Sequence, residues 1–90
     1  MSGDIINNHK ELFETILKLK TIEDCESFFD DLCTYKELDS MAGRTKAAKL
    51  LMKGETYDKI IKETEISSAT LSRVNKCVKY GKGYNVLLQK

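Results

Sequence analysis

The side chains able to do chemistry in this chain are few, and they do not assemble into a catalytic pattern. His9 is the only histidine, and Cys25, Cys33 and Cys77 are the only thiols. A zinc site needs four ligands at short spacings, and here there is no C-x-x-C pair and no partner near His9. No serine or cysteine is paired with a base at a spacing that suits nucleophilic catalysis, and no glycine-rich loop is present to cradle a phosphate. The chain reads as a non-enzyme that needs no cofactor. Its cysteines read as reduced and mostly buried, as in a reducing cytosol.

The residues that remain are hydroxyls and cations late in the sequence. Ser67, Ser68, Ala69, Thr70, Ser72 and Arg73 run together, followed by Lys76 and Lys79, with Lys59 and Lys62 a little upstream. Short hydroxyl side chains at a helix start allow close approach to a DNA groove. Arginine bonds guanine edges in bidentate fashion, and lysines reach phosphates. The charge distribution agrees. Met1 to Asp39 holds four lysines against ten acids, a net of −6, whereas Ser40 to Lys90 holds eleven Lys or Arg against four acids, a net of +7. An acidic front joined to a basic back suggests a polyanion-facing surface in the back half, although two solvated faces of opposite sign would read the same way.

The elements that must position these residues are helices. There is no proline, only five glycines, and abundant Lys, Glu, Leu and Ile. From Ile5 to Lys20 apolar residues recur at helical spacing (Ile5, Ile6, Leu12, Phe13, Ile16, Leu17), with His9 in the same stripe and Asn7 or Asn8 as candidate caps. Thr21 and Asp24 suit a capping box for a helix to Leu32, with Cys25, Phe28, Phe29 and Leu32 on one face. Thr34-Tyr35-Lys36-Glu37 predicts a second box and a short helix to about Met41. Ala42-Gly43 is expected to interrupt it before a new helix from Arg44 to Lys53, with Ala47, Leu50 and Leu51 buried and Gly54 as its stop.

The interval Thr56–Lys79 has the pattern of a helix-turn-helix. Thr56 caps a short helix, Ser67-Ser68 caps a second, and counting Tyr57 as position one puts Ile60, Ile66, Leu71 and Val74 at positions four, ten, fifteen and eighteen. Ile61 and Glu65 stand where such motifs often carry a small residue and a glycine, so Glu65 is expected to keep a negative φ. Tyr80 to Tyr84 reads as a turn, and Asn85 to Lys90 is left open between a short helix, a strand-like tail and no order.

Leu50-Leu51-Met52-Lys53-Gly54-Glu55, the hairpin and Ala69-Thr70-Leu71-Ser72-Arg73 resemble the Trp repressor superfamily. The closest likeness is to its small bacterial YerC/YecD-type branch, through Ser-Ser-Ala-Thr-Leu-Ser-Arg-Val-Asn, Tyr-Gly and a late Gly-Tyr. The likeness spans about Ile5 to Tyr84. It implies an all-α, intertwined homodimer: residues 1–53 as dimerisation helices, 56–79 as the helix-turn-helix and 80–90 as a C-terminal tail. It also implies two-fold-related recognition helices on a roughly palindromic duplex site. In the family proper, L-tryptophan is the corepressor. Arginines flanking it map to Arg44 and Arg73, and threonines to Thr34 and Thr70. A glycine beneath the indole maps to Val74, and a serine to Cys77. A β-branched residue at that glycine position implies that free tryptophan does not bind well.

The expectation is a dimeric, sequence-specific double-stranded DNA-binding regulator, a repressor that does not respond to tryptophan. The alternative is a helical adaptor that docks partners through Tyr80, Tyr84, Val86, Leu87 and Leu88. The N-terminus lacks the pattern of a signal peptide and no apolar run approaches ~20 residues, so a soluble cytoplasmic protein with no membrane partner is expected.

Overall fold

The computed structural model describes residues 3–88, with side chains described from Asn7 onward. Ile5 and Ile6 of the predicted stripe, and the last two residues of the tail, therefore lie outside what is described. Among the described residues there are six helices and no strand: α1 (Gly3–Ile16), α2 (Ile22–Leu32), α3 (Tyr35–Met52), α4 (Tyr57–Thr64), α5 (Ser68–Tyr80) and α6 (Gly83–Leu88). None is long and apolar enough to cross a membrane. The chain forms two units that divide between Thr34 and Tyr35. The division places α3 with the helices that follow it.

The first unit holds α1 and α2. Helix α1 begins before Asn7 and Asn8, so these two lie inside the helix and do not cap it. The turn into α2 is fixed by Thr21, whose Oγ1 accepts from the Asp24 amide at 3.0 Å, while the Asp24 carboxylate accepts from the Lys20 amide at 3.1 Å. The reciprocal bond of this box thus falls one residue before the cap. The described side chains of this unit include no buried one: Phe13 is 59% exposed, Leu17 82% and Ile22 73%. Phe28 and Phe29 meet edge-on at 5.4 Å and are half-buried. The expectation of mostly buried cysteines fails here. Cys25 is exposed, and Cys33 and Cys77 are only half-buried.

The second unit has a core of Ala47, Ala48, Ile60, Leu71 and Val74, with Leu50, Leu51, Ile61, Ile66, Val78, Tyr84 and Leu88 packed around it. Helix α3 lies against both α4 and α5, and α6 packs on α3 and α5. The predicted break at Ala42-Gly43 is not found, and α3 runs through it without interruption. One interior glycine costs about 1 kcal/mol against alanine, too little to end a helix packed over its length. A Cβ on Gly43 would stand 3.1 Å from Ile66 Cγ2, so the missing side chain lets α3 approach the α4–α5 turn closely. Gly54 ends α3 as predicted, at φ +85°. Its amide bonds to Leu51 O at 3.0 Å and that of Glu55 to Leu50 O at 3.1 Å, a paired closure that satisfies carbonyls left open at the helix end.

The tail takes the first of the forms left open, a short helix, which begins at Gly83 inside the expected turn. Gly83–Leu88 is helical, and Asn85 Nδ2 donates to Val78 O at 2.7 Å and Gly81 O at 3.1 Å. The tail therefore ties down carbonyls at the end of α5.

Candidate nucleic-acid interface

The helix-turn-helix is set by two caps and a turn. Thr56 Oγ1 accepts from the Lys59 amide at 3.3 Å and starts α4. Ser67 Oγ accepts from the Thr70 amide at 3.0 Å and starts α5. Each such cap contributes about 1 kcal/mol. Between them Thr64 Oγ1 donates to Ile60 O at 2.7 Å and accepts from the Ile66 amide at 3.5 Å. Glu65 then turns the chain in the left-handed conformation, φ 59° and ψ 19°. This corrects the expected negative φ: the sharp exit from α4 requires the left-handed region whatever residue stands there.

The four apolar positions of the pattern act together. Ile60, Leu71 and Val74 are buried, and Ile66 is packed half-buried against them. With Leu71 and Val74 inward, helical spacing carries Ala69, Ser72, Arg73 and Lys76 to the opposite side of α5. Of the ten residues expected to meet DNA, nine are exposed: Lys59, Lys62, Ser67, Ser68, Ala69, Ser72, Arg73, Lys76 and Lys79. Thr70 is half-buried, and its Oγ1 accepts from the Ser67 hydroxyl at 2.9 Å. Tyr80, 80% exposed, continues the 69–72/73–76 stripe and was not singled out for DNA in the sequence, though the spacing of four from Lys76 was there to read.

Lys59 differs from the other lysines. Its Nζ lies 2.6 Å from Glu55 Oε2, and that hydrogen bond, helped by the carboxylate charge, raises its pKa above the usual 10.5.

The residues grouped as a ligand pocket are only partly brought together. Arg44 and Arg73 line one cleft of about 400 Å³ with Ser40, Ala69 and Thr70, and none of the lining residues is acidic. Ser40, which the sequence reading missed, aims Arg44: its carbonyl accepts from Nε at 3.4 Å and its hydroxyl accepts from Nη2 at 3.2 Å. The i, i+4 spacing of the pair was the available signal. Val74 is 2% exposed and belongs to the core, not the cleft. Cys77 lines a separate cleft of about 480 Å³ with Thr45, Tyr84, Leu87 and Leu88. Thr34 belongs to the other unit.

The sequence profile of the Trp repressor protein family matches residues 7–90 of this chain. The chain belongs to the Trp repressor family. A similar protein of this kind is the uncharacterized protein YerC of Bacillus subtilis (strain 168), 52% identical over 71 residues that make up 79% of this chain and 68% of YerC. Among solved structures, a candidate Trp repressor from Staphylococcus aureus superposes with a TM-score of 0.87 at 38% identity, covering 98% of this chain and 91% of its own. A TrpR-like protein from Eubacterium eligens ATCC 27750 gives 0.85 at 40% identity, covering 89% and 84%. The all-helical Trp repressor fold predicted from the sequence is thus the fold of the protein.

Proposed function

We propose that this Trp repressor family chain binds duplex DNA sequence-specifically as a homodimer and acts as a repressor without tryptophan. The observation that carries the reading is the exposed stripe of Ala69, Ser72, Arg73 and Lys76 on a capped helix whose other face is core. A recognition helix needs this arrangement: rigid backing, short side chains near its start, and one planar cation able to reach a guanine. Lys62, Lys76 and Lys79 supply phosphate contacts and hence salt dependence. The uncovered apolar side chains of α1 and α2 supply the dimer contact.

Tryptophan fits poorly. The cleft between Arg44 and Arg73 is lined by guanidinium and hydroxyl groups with Ala69 as its only apolar side chain, and Val74 fills core space that a glycine would leave open.

Selection of bound sequences from random duplex DNA tests the reading. A two-fold-symmetric site with half-sites about 34–36 Å apart is expected. An unenriched pool would overturn it and favour the adaptor, which Val86 and Leu87, 73% and 82% exposed, otherwise suit. Arg73→Ala should relax preference at one position of each half-site and cost about 1–3 kcal/mol of binding.

A further inference from the structure

The start of α4 carries acids within the basic half. Its first turn carries Asp58, and Glu55 stands just before the Thr56 cap. Lys59 is the cation nearest that start, and it is engaged. The Glu55 backbone is held in turn by the bond of its amide to Leu50 O in the closure of α3, and its side chain is 32% exposed. The cap bond to the Lys59 amide fixes the other end of the pair. Glu55, Asp58 and Lys59 together carry a net negative charge where a cationic helix start would attract phosphate.

We infer that Glu55 limits the polyanion affinity of the helix-turn-helix by holding Lys59 out of the set of phosphate contacts. This rests on the DNA-binding reading above and deepens it, since it assigns a regulator of affinity to a residue outside the recognition helix. A reader that must leave non-cognate duplex gains from such a restraint, because each added phosphate contact strengthens binding to every sequence alike.

Four proteins decide it: the natural chain, Glu55→Gln, Lys59→Ala and the double variant, all with the Thr56 cap intact. Binding to non-cognate duplex is measured against salt, and elution from heparin, a polyanion without bases, is measured beside it. Glu55→Gln is expected to bind about two- to fivefold tighter at 0.1 M salt, with a slope of log K against log salt steeper by up to about 0.9. Lys59→Ala should abolish that gain in the Glu55→Gln background while changing the natural protein less than about twofold. The inference is overturned if Lys59→Ala weakens both backgrounds equally. It is also overturned if the gain of Glu55→Gln survives in the double variant, because mere removal of an acid then explains it. Should none of the four bind duplex, the DNA-binding reading falls, and heparin elution decides the role of Glu55 by the same pattern.

Discussion

Glu65 and Val74 show how much one side chain decides in this protein. Glu65 is the non-glycine residue held at positive φ among the described residues. An L side chain there costs about 1–2 kcal/mol, partly offset on replacement by the greater unfolded freedom of glycine. Glu65→Gly should therefore raise stability by about 0.5–1 kcal/mol in urea unfolding, and a loss of stability would mean that the Glu65 side chain makes a contact worth more than the strain. The sequence showed a residue out of place in a turn but not the direction of the backbone, because side-chain type alone does not fix φ where tertiary packing demands the turn. Val74 was legible as a core position, by its spacing from Leu71. Calorimetry with L-tryptophan should show no micromolar binding to the natural chain, and heat that saturates in that range would mean the cleft at Arg44 and Arg73 opens further than its lining suggests.

At the scale of elements, the capped helices could be read in advance and the packed ones could not. Thr21, Thr56, Ser67 and Gly54 mark helix ends through local hydrogen bonds, which sequence states directly. Helix α3 was divided in two because Gly43 looks like a breaker, yet its role is distal: it makes room for Ile66, more than twenty residues away. The α6 tail was left open because its anchor, Asn85 on the carbonyls of α5, is a tertiary bond. Gly43→Ala separates these two influences. Alanine gains about 1 kcal/mol of helix propensity but brings a Cβ to 3.1 Å from Ile66 Cγ2. The single variant should stay within about 0.5 kcal/mol of the natural protein, and Ile66→Ala should cost less in the Gly43→Ala background than alone, because it removes the Cγ2 methyl that the new Cβ meets. Strict additivity of the two changes in urea unfolding would show that the close approach carries no energy.

For the whole molecule, the central question is what covers the acidic half. The described side chains before Tyr35 include none that is buried, although Leu12, Phe13, Ile16, Leu17, Leu19, Phe28 and Phe29 lie among them. With the described core confined to α3–α6, the proposed homodimer would cover that apolar surface with a second copy, as small domains often gain core this way. The proposed dimer would in turn make recognition workable, because linking two readers converts the second docking event into an intramolecular one and raises avidity by about 10²–10⁴. Dimerisation and DNA binding are therefore expected to fail together. Phe13→Glu places a charge in the middle of the α1 stripe, where a dimer interface would leave it desolvated and unpaired. Sedimentation should find the natural chain dimeric at micromolar concentration and the variant monomeric, with circular dichroism of the variant still helical. Its affinity for a selected two-fold site should drop by at least the lower end of that range, while its affinity for an isolated half-site stays near that of the natural protein. A natural chain that sediments as a monomer, or a monomeric variant that keeps full affinity for the two-fold site, would break the link between the acidic half and the reader.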